Sequence, residues 1–206
     1  MTTFKLITNM REKFEELIEG YITGNIGISA HFLNKPLAAA LHHNLVNLNN
    51  NRHLEKAGIG NAIKDNFQKI RSDKTSWLSE DSDNSAEREF LDTMAQFMGY
   101  LNETCYTGLN AFEFHYALYE PGTFYGRHRD RLRNDDARKF SIISYLNENW
   151  LTAEGGQLIV YNDDGAPTTI LPENLKSVFF KSDLMEHEVT IATRQRLSVT
   201  GWLKRI

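Results

Sequence analysis

One cysteine, Cys105, is all that the 206 residues contain. No internal disulfide can form, which fits a reducing compartment. The chain lacks a basic excess: its formal net charge is -4, so no global positive field points to nucleic acid. No apolar run approaches membrane-spanning length, and Met1 to Ile7 show no basic segment leading into an apolar one. These absences lead to the expectation of a soluble cytoplasmic protein with no membrane role and no nucleic-acid partner. No internal repeat is visible. What is present is ordinary globular composition, with 41% hydrophobic and 24% charged residues, in a chain long enough for a substantial core.

The first half reads as helices. Phe14, Leu17, Ile18 and Tyr21 follow i, i+3, i+4, i+7, which predicts an amphipathic helix over about residues 9 to 19 with Gly20 as its stop. Gly27 to Leu33 reads as a short strand. Asn34 caps a second helix, with Pro36 in its first turn and Leu37, Leu41, Leu45 and Leu48 as its apolar stripe. His42 and His43 on that helix point to different faces, make a poor metal pair and read as solvated. Lys69 to Leu78 reads as a half-exposed strand or finger-like loop, and Ser79 to Asn84 as an acidic surface loop. Asn84 or Ser85 caps a third helix, whose buried stripe is Phe90, Met94, Phe97, Met98 and Leu101.

From Phe112 onward the period changes from 3.6 to 2. Strands are predicted at 112–119, 124–130, 139–147, 157–161, 177–181, 188–193 and 196–203, separated by turn residues such as Glu120-Pro121-Gly122, Arg133 to Asp136, and Asn162 to Gly165. Many short strands following a helical half predict a mainly β sandwich or barrel, with the helices covering one face.

The chemistry centres on Tyr125-Gly126-Arg127-His128-Arg129-Asp130. In an extended strand, residues i and i+2 share a face. His128 and Asp130 therefore project together, an imidazole and a carboxylate, and alternation sends Arg127, Arg129, Arg131 and Arg133 to the opposite face. Two histidines and a carboxylate form a face that holds a divalent metal and leaves open positions. His187, at the start of an apolar alternating run, is the best candidate for the third ligand. Nine residues on, Arg196 opens the last strand. Arg196, Ser198, Thr200 and Trp202 share one face of it and Leu197, Val199 and Leu203 the other, so a polar cavity is expected inside and packed helices outside. The guanidinium fork suits a carboxylate. Tyr145 could add a contact to the same carboxylate, and Tyr119 could reach the metal side. A 2-oxo acid would then chelate the metal and pair its distal carboxylate with Arg196, leaving a position for dioxygen, as in non-haem Fe(II) oxygenases. Zinc binds the same residue types but has no redox chemistry and would imply hydrolysis.

These residues resemble the Fe(II)/2-oxoglutarate-dependent dioxygenases. Tyr119-x-Pro121-Gly122, Tyr125 to Asp130, Tyr145-Leu146-Asn147, Gly155-Gly156, His187-Glu188-Val189 and Arg196 are similar to the prolyl 4-hydroxylase branch, above all to the hypoxia-factor prolyl hydroxylases and their bacterial relatives. Ile70 to Trp77 resembles an Arg-x-Asp-Lys stretch of that branch. The resemblance implies a double-stranded β-helix, a jelly-roll core, over residues 109–206, with residues 1–108 as a buttress and substrate-loop region of the same structural domain. It implies Fe(II) on His128, Asp130 and His187. It places 2-oxoglutarate on Arg196, Tyr145, Tyr119 and Thr200, and substrate contacts at Arg71, Asp73, Arg138 and Trp202. It further implies consumption of O2, L-ascorbate to keep the iron reduced, and a proline-containing protein or peptide substrate hydroxylated at C4 with release of succinate and CO2. Two other readings stand beside it: the same chemistry on a small molecule, free amino acid or nucleobase, and a non-catalytic jelly-roll binding module.

Overall fold

In the computed structural model, residues 2–57, 71–130, 136–162 and 165–206 are described, with side chains from Met10 onward. Ile70, Arg131, Arg133 and the predicted turn residues Asn134, Asp135, Asp163 and Asp164 lie outside them.

Three helices precede most of the strands: α1 (Thr2–Gly24), α2 (Lys35–Asn50) and α3 (Ser85–Cys105). α1 runs past Gly20 and ends where Asn25 takes a left-handed conformation (φ 62) and donates its N–H to Tyr21 O at 2.8 Å. Gly20 serves close packing instead of termination. A Cβ on Gly20 would stand 3.0 Å from Gly27 Cα, and one on Gly27 would stand 2.0 Å from Leu17 O, so helix and strand meet backbone to backbone. The caps of α2 and α3 follow the sequence. Asn34 Oδ1 accepts from Leu37 N at 2.8 Å, and Asn84 Oδ1 accepts from Ala86 N at 2.9 Å. His43 is exposed as expected, but His42 is only partly so: its Nδ1 lies 3.1 Å from Leu146 O, tying α2 to the strand region.

Eleven strands form two antiparallel sheets among the described residues. They are β1 (Ile26–Ser29), β2 (Glu55–Lys56), β3 (Lys74–Trp77), β4 (Ala111–Tyr119), β5 (Tyr125–His128), β6 (Arg138–Tyr145), β7 (Leu158–Tyr161), β8 (Thr168–Ile170), β9 (Ser177–Lys181), β10 (Glu186–Val189) and β11 (Arg196–Lys204). The seven-stranded sheet has the order β1-β9-β6-β11-β4-β3-β2, the four-stranded sheet β5-β10-β7-β8. β10 starts two residues earlier than predicted and ends at Val189, because Glu186 and His187 already pair with Tyr161 and Val160. The strand predicted over Gly27 to Leu33 is shorter, since the chain turns after Ser29.

Alternation divides the large sheet between two cores. Phe114, Tyr116, Leu118, Ile142, Phe179, Leu197, Val199 and Leu203 face the helices and pack with Phe14, Leu17, Leu41, Phe90 and Phe97. The rings of Phe14 and Phe179 lie 5.0 and 5.3 Å from that of Phe97. Each such buried phenylalanine contributes roughly 2–3 kcal/mol from burial alone. The opposite face, with Ala117, Tyr119, Ile143, Tyr145, Val178 and Phe180, packs on Leu158, Val160, Ile170 and Val189 of the small sheet. The functional side chains lie in this second core, between the sheets.

Candidate active site

β5 and β10 pair antiparallel with His128 opposite His187, and their rings lie 4.2 Å apart. The chain leaves β5 after His128, but alternation persists: Arg127 and Arg129 are exposed, His128 and Asp130 partly buried. Asp130 N donates to Ser182 O at 3.1 Å, which holds this extension in place. The predicted trio therefore converges. Its three ligand atoms lie within 4.8 Å of one another.

Each imidazole is oriented through its other nitrogen. His128 Nδ1 lies 2.7 Å from Gly126 O and His187 Nδ1 lies 3.1 Å from Met185 O. Both Nε2 atoms consequently face Asp130, at 3.4 and 3.6 Å. Ser141 Oγ donates to Asp130 Oδ2 at 2.7 Å and lies 2.9 Å from Ser182 Oγ. Burial works against the Asp130 charge, yet His187, His128 and the Ser141 hydroxyl together hold its carboxyl well below the usual range. Burial lowers the His187 imidazole, favouring the neutral form that ligates metals. Two neutral nitrogens and one carboxylate with fixed outer partners suit a divalent ion.

β4 and β11 carry the second half of the site. Arg196 pairs with Tyr119, Ser198 with Ala117 and Thr200 with His115. Arg196 is 1% exposed. Its guanidinium carbon lies 4.9 Å from the Tyr119 ring centroid and 5.0 Å from that of Tyr145, and its Nε donates to Gly156 O at 2.8 Å. Among the described residues no carboxylate forms an ion pair with it. The Tyr145 hydroxyl is buried with no hydrogen-bond partner, and burial keeps it protonated. A buried guanidinium with no counter-charge, beside an unpaired hydroxyl donor, suits an anionic group. Arg196, Tyr119, the metal trio and Thr200 line a single cavity.

The four predicted substrate residues divide. Arg71 and Trp202 line that cavity; Asp73 and Arg138 brace them from outside it. Arg71 donates through Nε and Nη2 to the two oxygens of buried Asp73, at 2.6 and 2.9 Å, and its guanidinium lies over the Tyr125 ring, which in turn stacks on His128. Arg138 lies over Trp202 at 3.4 Å and donates to Glu113 Oε1 at 2.9 Å. Sequence reading gave no role to Ser141, Gly156 or His115. All three fall on the inner face or its flanking loop, and alternation on 111–119 and 138–145 would have found two of them.

A family model described as the 2OG-Fe(II) oxygenase superfamily matches residues 114–204. A solved prolyl-4-hydroxylase from Pseudomonas putida is 35% identical, covers 94% of this chain and 99% of its own, and superposes with a TM-score of 0.84. The chain belongs to the 2OG-Fe(II) oxygenase superfamily. It is an oxidoreductase of the dioxygenase type that uses iron and 2-oxoglutarate. A Trichoplax adhaerens prolyl hydroxylase, solved in complex with a hypoxia inducible factor peptide fragment, shares the fold of this oxygenase: TM-score 0.87 at 24% identity, over 98% of this chain and 93% of the other. A hypoxia-inducible factor prolyl hydroxylase of Caenorhabditis elegans is 38% identical over 84 residues, 39% of this chain. The oxygenase spans only 12% of that curated relative's length. No helix among its described residues is long and apolar enough to cross a membrane.

Proposed function

We propose that this oxygenase hydroxylates C4 of a prolyl residue in a protein or peptide, consuming 2-oxoglutarate and O2 and releasing succinate and CO2. The observation that carries the reading is the 35% identity to the Pseudomonas putida prolyl-4-hydroxylase across nearly the whole of both chains. The Trichoplax adhaerens enzyme, solved with its peptide, supports a cavity of this architecture that admits a polypeptide.

His128, Asp130 and His187 would hold the Fe(II), which would supply the activation of oxygen. Arg196 would grip the distal carboxylate of 2-oxoglutarate through its guanidinium nitrogens, Tyr145 would donate its unpaired hydroxyl to the same group, and Thr200, two rungs along β11, would offer a hydroxyl nearer the middle of the cavity. Tyr119 packs beside the chelating end. Arg71, fixed by Asp73, and Trp202, covered by the Arg138 guanidinium, meet the substrate. L-ascorbate would serve as the reductant for the iron. The two sheets are read as a double-stranded β-helix, a jelly-roll core over residues 109–206, buttressed by residues 1–108 within one structural domain. The lone exposed Cys105 fits a cytoplasmic setting.

The test is to incubate the protein with Fe(II), 2-oxoglutarate and proline-containing peptides, following succinate and peptide mass. A gain of one oxygen on proline is expected. Succinate release that follows an added free amino acid or nucleobase and ignores every prolyl peptide would overturn the reading.

A further inference from the structure

Four residues before Tyr119, on the same face of β4, stands His115. It is 3% exposed, and its Nδ1 has no hydrogen-bond partner. Its ring stacks on Trp202, with centroids 5.4 Å apart and an interplanar angle of 28°. The Trp202 Nε1 is likewise buried and unpartnered. Both residues line the cavity that contains the metal trio. Two orphaned polar atoms on neighbouring rings in one cavity wall are costly unless a ligand meets them.

What that ligand offers follows from donor chemistry. An indole nitrogen can only donate. Burial lowers the His115 imidazole to about 4, so it is neutral at neutral pH and carries one N–H. With that N–H on Nδ1, the two rings suit a ligand presenting hydrogen-bond acceptors. The distal carboxylate of 2-oxoglutarate is not that ligand: held on Arg196, it lies at the other end of the strand pair, since four residues of β4 separate Tyr119 from His115 by about 13 Å. A polypeptide around a proline is such a ligand: proline has no N–H, so its own main-chain unit offers a carbonyl oxygen and no donor.

We infer that His115 is a specificity-determining residue, donating from Nδ1 to a main-chain carbonyl beside the reacting residue while Trp202 Nε1 donates to a second. The inference rests on the polypeptide reading above. Trp77 extends the same wall outward: its ring lies 4.9 Å from His115 and 6.4 Å from Trp202, and at 58% exposed it reaches the surface. The approaching chain thus meets an aromatic surface before the paired donors.

The test compares His115→Leu and His115→Asn with the wild type, using Fe(II), 2-oxoglutarate and a proline peptide that the wild type turns over. Asparagine places an amide N–H where Nδ1 stands; leucine fills the space without a donor. In His115→Leu the peptide KM should rise roughly tenfold, the loss of one neutral hydrogen bond. The affinity for 2-oxoglutarate and the melting temperature should hold. His115→Asn should restore most of the peptide KM. An unchanged peptide KM in His115→Leu overturns the role of His115 alone, as does an equal loss of 2-oxoglutarate affinity or an asparagine variant no better than leucine. A wild type that turns over no prolyl peptide overturns both this inference and the function on which it rests.

Discussion

Arg196 and Gly156 are fitted to each other: the arginine Nε donates to the glycine carbonyl at 2.8 Å, and a Cβ on that glycine would lie 3.2 Å from Arg196 Cδ. Gly156 also holds φ +66, which side-chain-bearing residues avoid. The guanidinium is thereby fixed on the loop side as well as by the two tyrosine rings. Gly156→Ala should cost about 1–2 kcal/mol of stability from the backbone conformation. It should also raise the 2-oxoglutarate KM roughly tenfold or more by moving the arginine. Steady-state kinetics beside a urea melt separates the two effects, and an unchanged KM would show that the fit does not matter.

Arg196→Lys replaces a planar fork with a point charge. It should weaken 2-oxoglutarate binding by about 1–3 kcal/mol, because one of two parallel hydrogen bonds is lost. Calorimetric titration of the metal-loaded protein measures this directly, and an undiminished affinity would mean that the anion binds elsewhere.

Ser141 has no reach toward a ligand of its own but fixes Asp130 at 2.7 Å. Ser141→Ala should lower metal affinity roughly 10- to 100-fold, the usual effect of removing an outer partner of a ligating carboxylate. 2-Oxoglutarate affinity measured at saturating metal should be spared. Equal metal affinity in the variant would assign that hydroxyl to packing alone.

His115 makes acid stability a measurable property. Burial, with Arg71 and Arg138 assisting, lowers its imidazole from 6.5 to about 4. The unfolded chain takes up this proton near the ordinary value and the folded chain only near the lowered one. Stability is therefore full above that window and falls as pH drops through it, by about 3 kcal/mol in total. Urea unfolding at pH about 7 and about 4.5 should show a smaller acid loss in His115→Leu than in the wild type. Parallel losses would mean that other groups govern acid sensitivity.

The site was readable where period-2 alternation operates on short segments. His128 and Asp130 share a face, and Arg196, Thr200 and Trp202 line the cavity while Leu197, Val199 and Leu203 pack on helices, as spacing alone dictates. The stop of α1 was not readable, because Gly20 carries the signature of a terminator while its missing side chain serves contact with Gly27. β8 escaped because three residues, Thr168 to Ile170, are too few to show a period. Ser141 and Gly156 act through other residues, a role that becomes visible only when β6 and the Gly155-Gly156 turn are brought beside Asp130 and Arg196.

The large sheet interleaves the two halves of the chain. β1 flanks it on one side and β3 with β2 on the other, while the strands between all come from beyond residue 110. A fragment starting near residue 109 would keep His128, Asp130, His187 and Arg196 yet carry two raw edges, at β9 and β4, and a stripped apolar face over Val199 and Leu203. Such a cassette invites aggregation, so transplanting the chemistry into another scaffold means moving the early helices and strands with it.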